Sequence, residues 1–365
     1  MVAQNDDSRF MALALALGRR GLGRTWPNPA VGAVIVKDGT IVGRGWTQPG
    51  GRPHAETEAL RRAADAAQGA TLYVTLEPCS HHGKTPPCAD AIIAAGVARV
   101  VSAIEDPNPE VSGKGHARLR AAGIVVDVGT GAVEARRDHA GHIRRMRDGR
   151  PHVMLKLAIS ADGKAGAAGR KPVAITSDAA RERVHLMRAQ SDAIMIGIGT
   201  ALSDDPLLTC RLPGMEKTSP VRVVIDSALR LPVTGRLVKS ARKLPLWVVC
   251  AADASRGAEG ALRQQGVEVL RSADNAGRLD LAEILKLLAE RGITRLMVEG
   301  GSTLASALLT ADLVDEAQLF HSPKSVGADG IEALDAGALA TLARQLRPAG
   351  SDLVGPDRLD FYQRG

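Results

Sequence analysis

Apolar and polar positions along the first hundred residues change period several times, and each change marks an element. Arg9 to Arg20 carries apolar residues at helical spacing, which predicts a helix. Ala30–Val36 and Ile41–Gly45 are two apolar runs joined through Lys37-Asp38-Gly39-Thr40, the signature of a β-hairpin. The alanine-rich stretch after Pro53 reads as a helix with proline near its start. Ala70–Leu76 then reads as a buried strand, Cys88–Ala95 as a helix stopped by Gly96, and Val97–Ile104 as another strand. The resulting order, α-β-β-α-β-α-β, predicts a sheet covered by helices.

A basic stretch from Arg136 to Arg150 reads as a helix leading into a linker. Beyond it the strand–helix alternation restarts. Val153–Ala158, Ala193–Ile198, Val221–Ile225, Leu246–Cys250, Arg295–Val298 and Gln318–Phe320 are the predicted strands. Ser177–Ala189 and Leu281–Arg291 are among the predicted helices. The pattern therefore divides the chain into two α/β domains, 1–147 and 151–365, with no internal repeat.

Composition narrows this picture. Aromatic residues make up only 2% of the 365, so the cores must be built from Val, Ile, Leu and Ala. The first seven residues lack the basic and apolar stretches of a secretory signal, and no apolar run approaches bilayer length. The expected location is cytoplasmic, without membrane association. Four cysteines are too few for a disulfide framework in a chain of this length, and in a reducing compartment such residues more often bind metal. The net charge of +7 is concentrated in the first 150 residues, which fits an anionic partner, either a phosphorylated metabolite or a nucleic acid.

The residues that decide the chemistry are His54-Ala55-Glu56, then Pro78-Cys79, then Cys88. One imidazole and two thiolates hold zinc tetrahedrally and leave a fourth position for water. The metal brings that water's pKa toward neutrality, and Glu56 is placed to move its proton. Cys88 opens a helix behind Pro86-Pro87, where the helix dipole favours a thiolate. Taken singly, these read as a satisfied core histidine and two inert thiols; the ordered set is what points to a zinc deaminase. The general pattern has two residues between the cysteines, whereas here there are eight, Ser80 to Pro87. This insert is polar and basic, suited to a substrate phosphate, and its His81 and His82 are alternative ligands.

With that extended loop, Thr75 to Cys88 resembles the bifunctional riboflavin-biosynthesis deaminase–reductase family. The resemblance continues through Asp106-Pro107-Asn108-Pro109, Leu155-Lys156-Leu157-Ala158, Arg188-Ala189-Gln190-Ser191, Asp204-Asp205-Pro206 and Val298-Glu299-Gly300-Gly301. It implies a cytidine-deaminase-like α/β/α domain followed by a dihydrofolate-reductase-like α/β domain. It implies one zinc ion per chain and NADPH as cofactors, a phosphorylated pyrimidine as substrate, and a homo-oligomer. Deamination of 2,5-diamino-6-(5-phosphoribosylamino)pyrimidin-4-one would be followed by reduction of its ribosyl chain to ribityl.

Carried over by residue, Asn28, His81 and Lys84 would contact the deaminase substrate. Arg188, Leu208, Arg211 and Glu299 would bind the reductase substrate. Ala158, Thr200, Asp204, Ser227 and the run Gly301, Ser302, Thr303, Leu304, Ala305, Ser306 and Ala307 would line the cofactor site. From the residues alone, the Gly300-Gly301 turn ahead of a helix suits a cofactor phosphate, and Gly-x-Gly-x-x-Gly is absent from the first strand–helix turn, against a Rossmann domain. One departure stands out: Pro172-Val173-Ala174 replaces the Ser-x-Trp that many relatives carry before Ile-Thr-Ser. Competing readings are a deaminase acting on nucleic acid, for which eight aromatics offer little base stacking, and a non-catalytic zinc module, for which a fourth ligand is poorly placed.

Overall fold

The computed structural model describes residues 2–81, 86–170, 173–275 and 278–365. The chain divides into two compact units, Met1–Gly149 and Arg150–Gly365.

The first unit runs α1 (Val2–Arg19), β1 (Gly32–Lys37), β2 (Thr40–Trp46), α2 (Ala55–Ala63), β3 (Thr71–Val74), α3 (Cys88–Ala94), β4 (Arg99–Ser102), α4 (Lys114–Ala121), β5 (Val125–Val128), α5 (Ala132–Asp138) and α6 (Ala140–Asp148). Its sheet has the order β2-β1-β3-β4-β5. The hairpin is antiparallel, with a register shift between Ile35 and Val36, while β3, β4 and β5 run parallel. The core is aliphatic, centred on Val34, Ile35, Leu72, Val100 and Ile92, all fully buried.

Two features of this packing place the candidate metal ligands. A Cβ on Gly45 would lie 2.3 Å from the Ala55 carbonyl and 2.7 Å from the Ala59 nitrogen. Only glycine therefore lets the start of α2 settle directly on β2. At the other side, Gly115 in α4 packs against Pro78, where a Cβ would come within 2.0 Å of the carbonyl oxygen.

The second unit contains β6 (His152–Ile159), β7 (Lys164–Gly166), α7 (Asp178–Ala189), β8 (Ala193–Gly197), α8 (Ile198–Asp204), β9 (Val221–Ile225), α9 (Arg236–Lys239) and β10 (Leu246–Ala251). It continues with α10 (Arg256–Gln264), β11 (Glu268–Ser272), β12 (Asp274–Asn275), β13 (Arg278–Leu279), α11 (Leu281–Glu290), β14 (Arg295–Val298) and α12 (Ser302–Thr310). The last elements are β15 (Glu316–His321), β16 (Ile331–Glu332), α13 (Ala336–Gln345), β17 (Leu346–Val354) and β18 (Asp357–Arg364). Nine strands form one sheet in the order β11-β10-β9-β8-β14-β6-β15-β18-β17. It is parallel from β11 to β15, and the β17–β18 hairpin closes it antiparallel. No helix among the described residues is long and apolar enough to cross a membrane.

The predicted strands of both units are present within a residue or two of their expected limits. The basic stretch before residue 150 forms two helices, α5 and α6, where one was expected. Sequence patterning also passed over α4, β5, β11, β17 and β18. On β5 only Val126 is even half-buried, and along β17 nearly every residue faces solvent, so neither strand shows a buried face.

Candidate active sites

In the first unit the strand-to-helix junctions bring His54, Cys79 and Cys88 together, with all three ligand atoms within 4.8 Å of one another. His54 directly precedes α2, Cys79 follows the end of β3, and Cys88 is the first residue of α3. His54 Nδ1 lies 3.3 Å from Cys88 Sγ and 3.7 Å from Cys79 Sγ. Tetrahedral zinc with ordinary Zn–N and Zn–S bonds needs N···S edges of about 3.5 Å, so the donor set fits that metal. The Cys88 amide also donates to Cys79 Sγ at 3.2 Å, tying the second ligand to the helix that carries the third.

Charge at the site follows from these contacts. The neighbouring Cys88 thiol, together with His54 and the Cys88 amide, holds Cys79 down at about 4 against burial, so Cys79 is a thiolate. Glu56 lies in the first turn of α2 with only 4% of its surface exposed. Burial lifts its carboxyl to about 7, the range in which a carboxylate both takes and returns a proton in neutral solution.

Asn28 sits against the ligand histidine. Its Nδ2 donates to the Gly51 carbonyl at 2.8 Å and is 3.4 Å from His54 Nε2. His81 is exposed, and Lys84 and His82 lie outside the described residues.

Sequence reasoning gave no role to Glu77, quoted only within the motif around Cys79. Its carboxylate is buried and accepts four backbone N–H groups: Asp106 (3.1 Å), Gly113 (2.9 Å), Gly115 (2.9 Å) and His116 (3.1 Å). These bonds fasten the 106–116 segment beside Cys79. The segment is fixed a second time where His142 Nε2 meets Asp106 Oδ1 at 2.9 Å. An acidic residue two positions before a ligand is the only signal the sequence offered.

In the second unit the candidate cofactor residues gather at the carboxyl ends of four adjacent strands, where open parallel sheets bind ligands. Ala158 is on β6, Thr200 and Asp204 follow β8, Ser227 follows β9, and Gly301 follows β14. Gly301 precedes α12 and donates its N–H to Thr200 Oγ1 at 3.2 Å. Ser302, Thr303 and Ser306 line a cavity of about 380 Å³ with Ile331, Glu332 and Asp335. Leu304 and Ala305 point into the core, so the outward face of α12 is its hydroxyl face. Asp204 is exposed and accepts from Ser203 Oγ at 2.7 Å.

The candidate substrate residues form a linked group. Arg188 on α7 makes a two-pronged ion pair with Glu299, Nε to Oε1 at 2.7 Å and Nη2 to Oε2 at 2.8 Å. Burial works to raise the Glu299 carboxyl, but Arg188, joined by Lys156 and His185, outweighs it and the net shift is downward. Leu208 has a left-handed backbone, φ +56°, and its side chain is in the core, so what it offers a ligand is backbone. Arg211 is exposed. Lys156, quoted earlier only as motif, is half-buried on β6; burial depresses its pKa while Glu299 opposes the shift. A lysine at an alternating position of an otherwise apolar strand was the available signal. His185, one helical turn before Arg188, was also missed. Of the departing segment, Pro172 lies outside the described residues, while Val173 and Ala174 are exposed.

Comparison with known proteins gives the family of each unit. The family described as the cytidine and deoxycytidylate deaminase zinc-binding region matches residues 4–104, and the RibD C-terminal domain matches residues 151–359. The chain is 46% identical over 335 residues to riboflavin biosynthesis protein RibD of Escherichia coli (strain K12), covering 89% of each. It is 40% identical over 359 residues to that of Aquifex aeolicus (strain VF5), covering 98% of each. Among solved structures, form 1 of Acinetobacter baumannii RibD superposes with a TM-score of 0.88 at 36% identity over 99% of both chains. The Thermotoga maritima diaminohydroxyphosphoribosylaminopyrimidine deaminase/5-amino-6-(5-phosphoribosylamino)uracil reductase gives 0.85 at 34% identity over 100% of both. A cytidine-deaminase zinc domain is thus followed by a dihydrofolate-reductase-like domain, and the chain belongs to the RibD family of bifunctional deaminase–reductases of riboflavin biosynthesis.

Proposed function

We propose that the first unit hydrolyses the 2-amino group of 2,5-diamino-6-(5-phosphoribosylamino)pyrimidin-4-one, and that the second reduces the ribosyl chain of the product to ribityl with NADPH. The observation that carries the first half is the imidazole nitrogen 3.3 and 3.7 Å from two sulfurs, with a buried carboxyl at the start of the same helix. His54, Cys79 and Cys88 would hold one zinc ion, which when bound supplies a hydroxide at neutral pH. Glu56 takes the proton of the attacking water and delivers it to the ring nitrogen and then to the departing ammonia. Water adds at the ring carbon, the C–N bond breaks, and the carbonyl forms as ammonia leaves. Asn28 packs on the ligand histidine and borders the substrate, while His81 and Lys84 contact the substrate, Lys84 at its phosphate.

In the second unit the nicotinamide cofactor lies along the strand ends, with Ala158, Thr200, Asp204, Ser227 and residues 301–307 about it. The hydroxyl face and N-terminus of α12 suit a phosphate of the cofactor. Hydride goes to the anomeric carbon of the ribose, and the proton that completes the reduction comes from Lys156, whose pKa burial depresses. Arg188 holds Glu299 in place, and Arg211 takes the substrate's phosphate. The same resemblance implies a homo-oligomer, which sedimentation of the purified chain checks.

The test is a coupled assay on zinc-loaded protein that follows ammonia release and NADPH absorbance together. Matching amounts of both support the full reading. Ammonia without NADPH loss restricts it to the first unit and directs attention to Val173 and Ala174. Neither signal, with zinc present, overturns it.

A further inference from the structure

His185 and Arg188 leave the same face of α7 one turn apart. Both end on a single acceptor: the Thr209 carbonyl lies 3.0 Å from His185 Nδ1 and accepts from Arg188 Nη1 at 3.1 Å. A carbonyl only accepts, so the His185 proton sits on Nδ1 and Nε2 keeps its lone pair. Arg211 Nε donates to that Nε2 at 3.3 Å. Burial, then Arg188, then Arg211 depress the His185 pKa, which keeps the ring in the neutral form these bonds require.

The two arginines differ in what they leave over. Arg188 spends Nε, Nη1 and Nη2 on Glu299 and Thr209. Arg211 is exposed and uses only Nε, so among the described residues its paired Nη groups have no hydrogen-bond partner. That edge is the one that grips an anion with two parallel hydrogen bonds. Backbone geometry contributes to the same arrangement: Asp205 (φ +37°) and Leu208 (φ +56°) are both left-handed, bending the 205–211 segment back toward α7.

We propose that His185, clamped on the Thr209 carbonyl, accepts the Arg211 Nε–H and so presents the Nη edge of Arg211 to the phosphomonoester of the reduction substrate. His185 is then a positioning residue that sets specificity for a phosphorylated sugar. The inference rests on the reading of Arg211 as the phosphate contact. The cofactor's 2′-phosphate carries the same chemistry, and the experiment separates the two.

Two substitutions in the full-length protein divide the ring's functions. His185→Asn keeps an amide nitrogen where Nδ1 was, and with it the bond to Thr209, but has no atom at Nε2. His185→Gln places an amide oxygen near Nε2 to receive Arg211. Reduction is followed with 5-amino-6-(5-phosphoribosylamino)uracil and with its phosphate-free ribosyl analogue, at varied NADPH and NADH. The expected result for His185→Asn is a KM for the phosphorylated substrate raised roughly tenfold, the effect of one lost hydrogen bond. The kcat should stay within about twofold and the KM of the analogue unchanged, and His185→Gln should recover most of the loss.

Equal behaviour of the two variants, or equal shifts with both substrates, overturns the proposal. A shift confined to NADPH, with NADH unaffected, assigns the phosphate to the cofactor and also overturns it. Arg211→Gln distinguishes the layers. If that variant leaves the phosphorylated KM unchanged, the reading of Arg211 fails; if it raises KM while His185→Asn does not, only the role of His185 fails.

Discussion

The zinc-site residues of the first unit all fall between His54 and Cys88, at the ends of β3, α2 and α3, and each carries its chemistry in its own side chain. The candidate residues of the second unit span Lys156 to Ala307 and come from four strand ends and three helices, α7, α8 and α12. Many of them offer backbone, a hydroxyl or half of an ion pair. A metal centre demands donor atoms at bond length, which forces a short, ordered set of residues. Hydride transfer demands chiefly that two large molecules be held at the right separation, a task that can be spread over a whole sheet edge. One consequence is that chemistry and stability separate in the first unit and coincide in the second. On the proposed reading Glu56 carries chemistry without being a ligand, whereas Arg188 and Glu299 are at once candidate site residues and scaffold.

The largest expected effect tests the separable half. Glu56→Gln should lower deamination by about 10²–10⁴-fold while zinc content stays at wild-type level, since the ligands survive and the proton carrier does not. Burial already favours the neutral carboxyl, so an amide of the same shape is tolerated where it sits. Ammonia release measured beside metal analysis checks this; full turnover would break the comparison.

Arg188→Met tests the other half. It leaves Glu299 buried without its partner and should cost about 3–5 kcal/mol of stability in the second unit together with reductase activity. Denaturant unfolding and NADPH oxidation should therefore fall together; loss of activity at unchanged stability would contradict the claim that the pair serves both ends.

Gly45→Ala is smaller and sharper. The added methyl meets the α2 backbone and should cost about 1–3 kcal/mol, with deamination reduced because α2 carries Glu56 and follows His54. Thermal melting and ammonia release check it, and reductase turnover should be unaffected.

The smallest effect is a pH dependence. Glu259 on α10 is held down to about 2 by Arg271 and Arg263. A depressed carboxyl stabilises the fold above its ordinary value near 4.5 and loses that contribution as pH falls toward 2. Glu259 is itself buried, but Arg256 and Arg263 beside it are open to solvent, so the effect is small and weakens with salt. Glu259→Gln should flatten the acid limb of the stability profile between those values, as measured by denaturation at stepped pH.

What was legible beforehand follows the same division. His54, Glu56, Cys79 and Cys88 were readable because their spacing and types admit few other uses as a set. The buried strands were readable because burial on both faces leaves uninterrupted apolar runs, and the hairpin because Asp38-Gly39 joins two apolar runs. β17 was not, because an edge strand facing solvent alternates nothing. The geometry of the reductase site was hidden for a different reason: the residues are ordinary and meet only after the sheet has ordered its strands. Leu208 reads as a plain core residue and is one; what sets it apart is a left-handed backbone that a sequence does not display. The joining of His185 to Arg211 through Nε2 likewise needs the path of the 205–211 segment, not its composition.

The four amides gathered by Glu77 and the bond from the Cys88 amide to Cys79 fix both ends of the stretch between the two cysteines. With its flanks held in this way, a graft of another length from Ser80 to Pro87 is expected to leave the zinc content of the protein unchanged, which metal analysis checks.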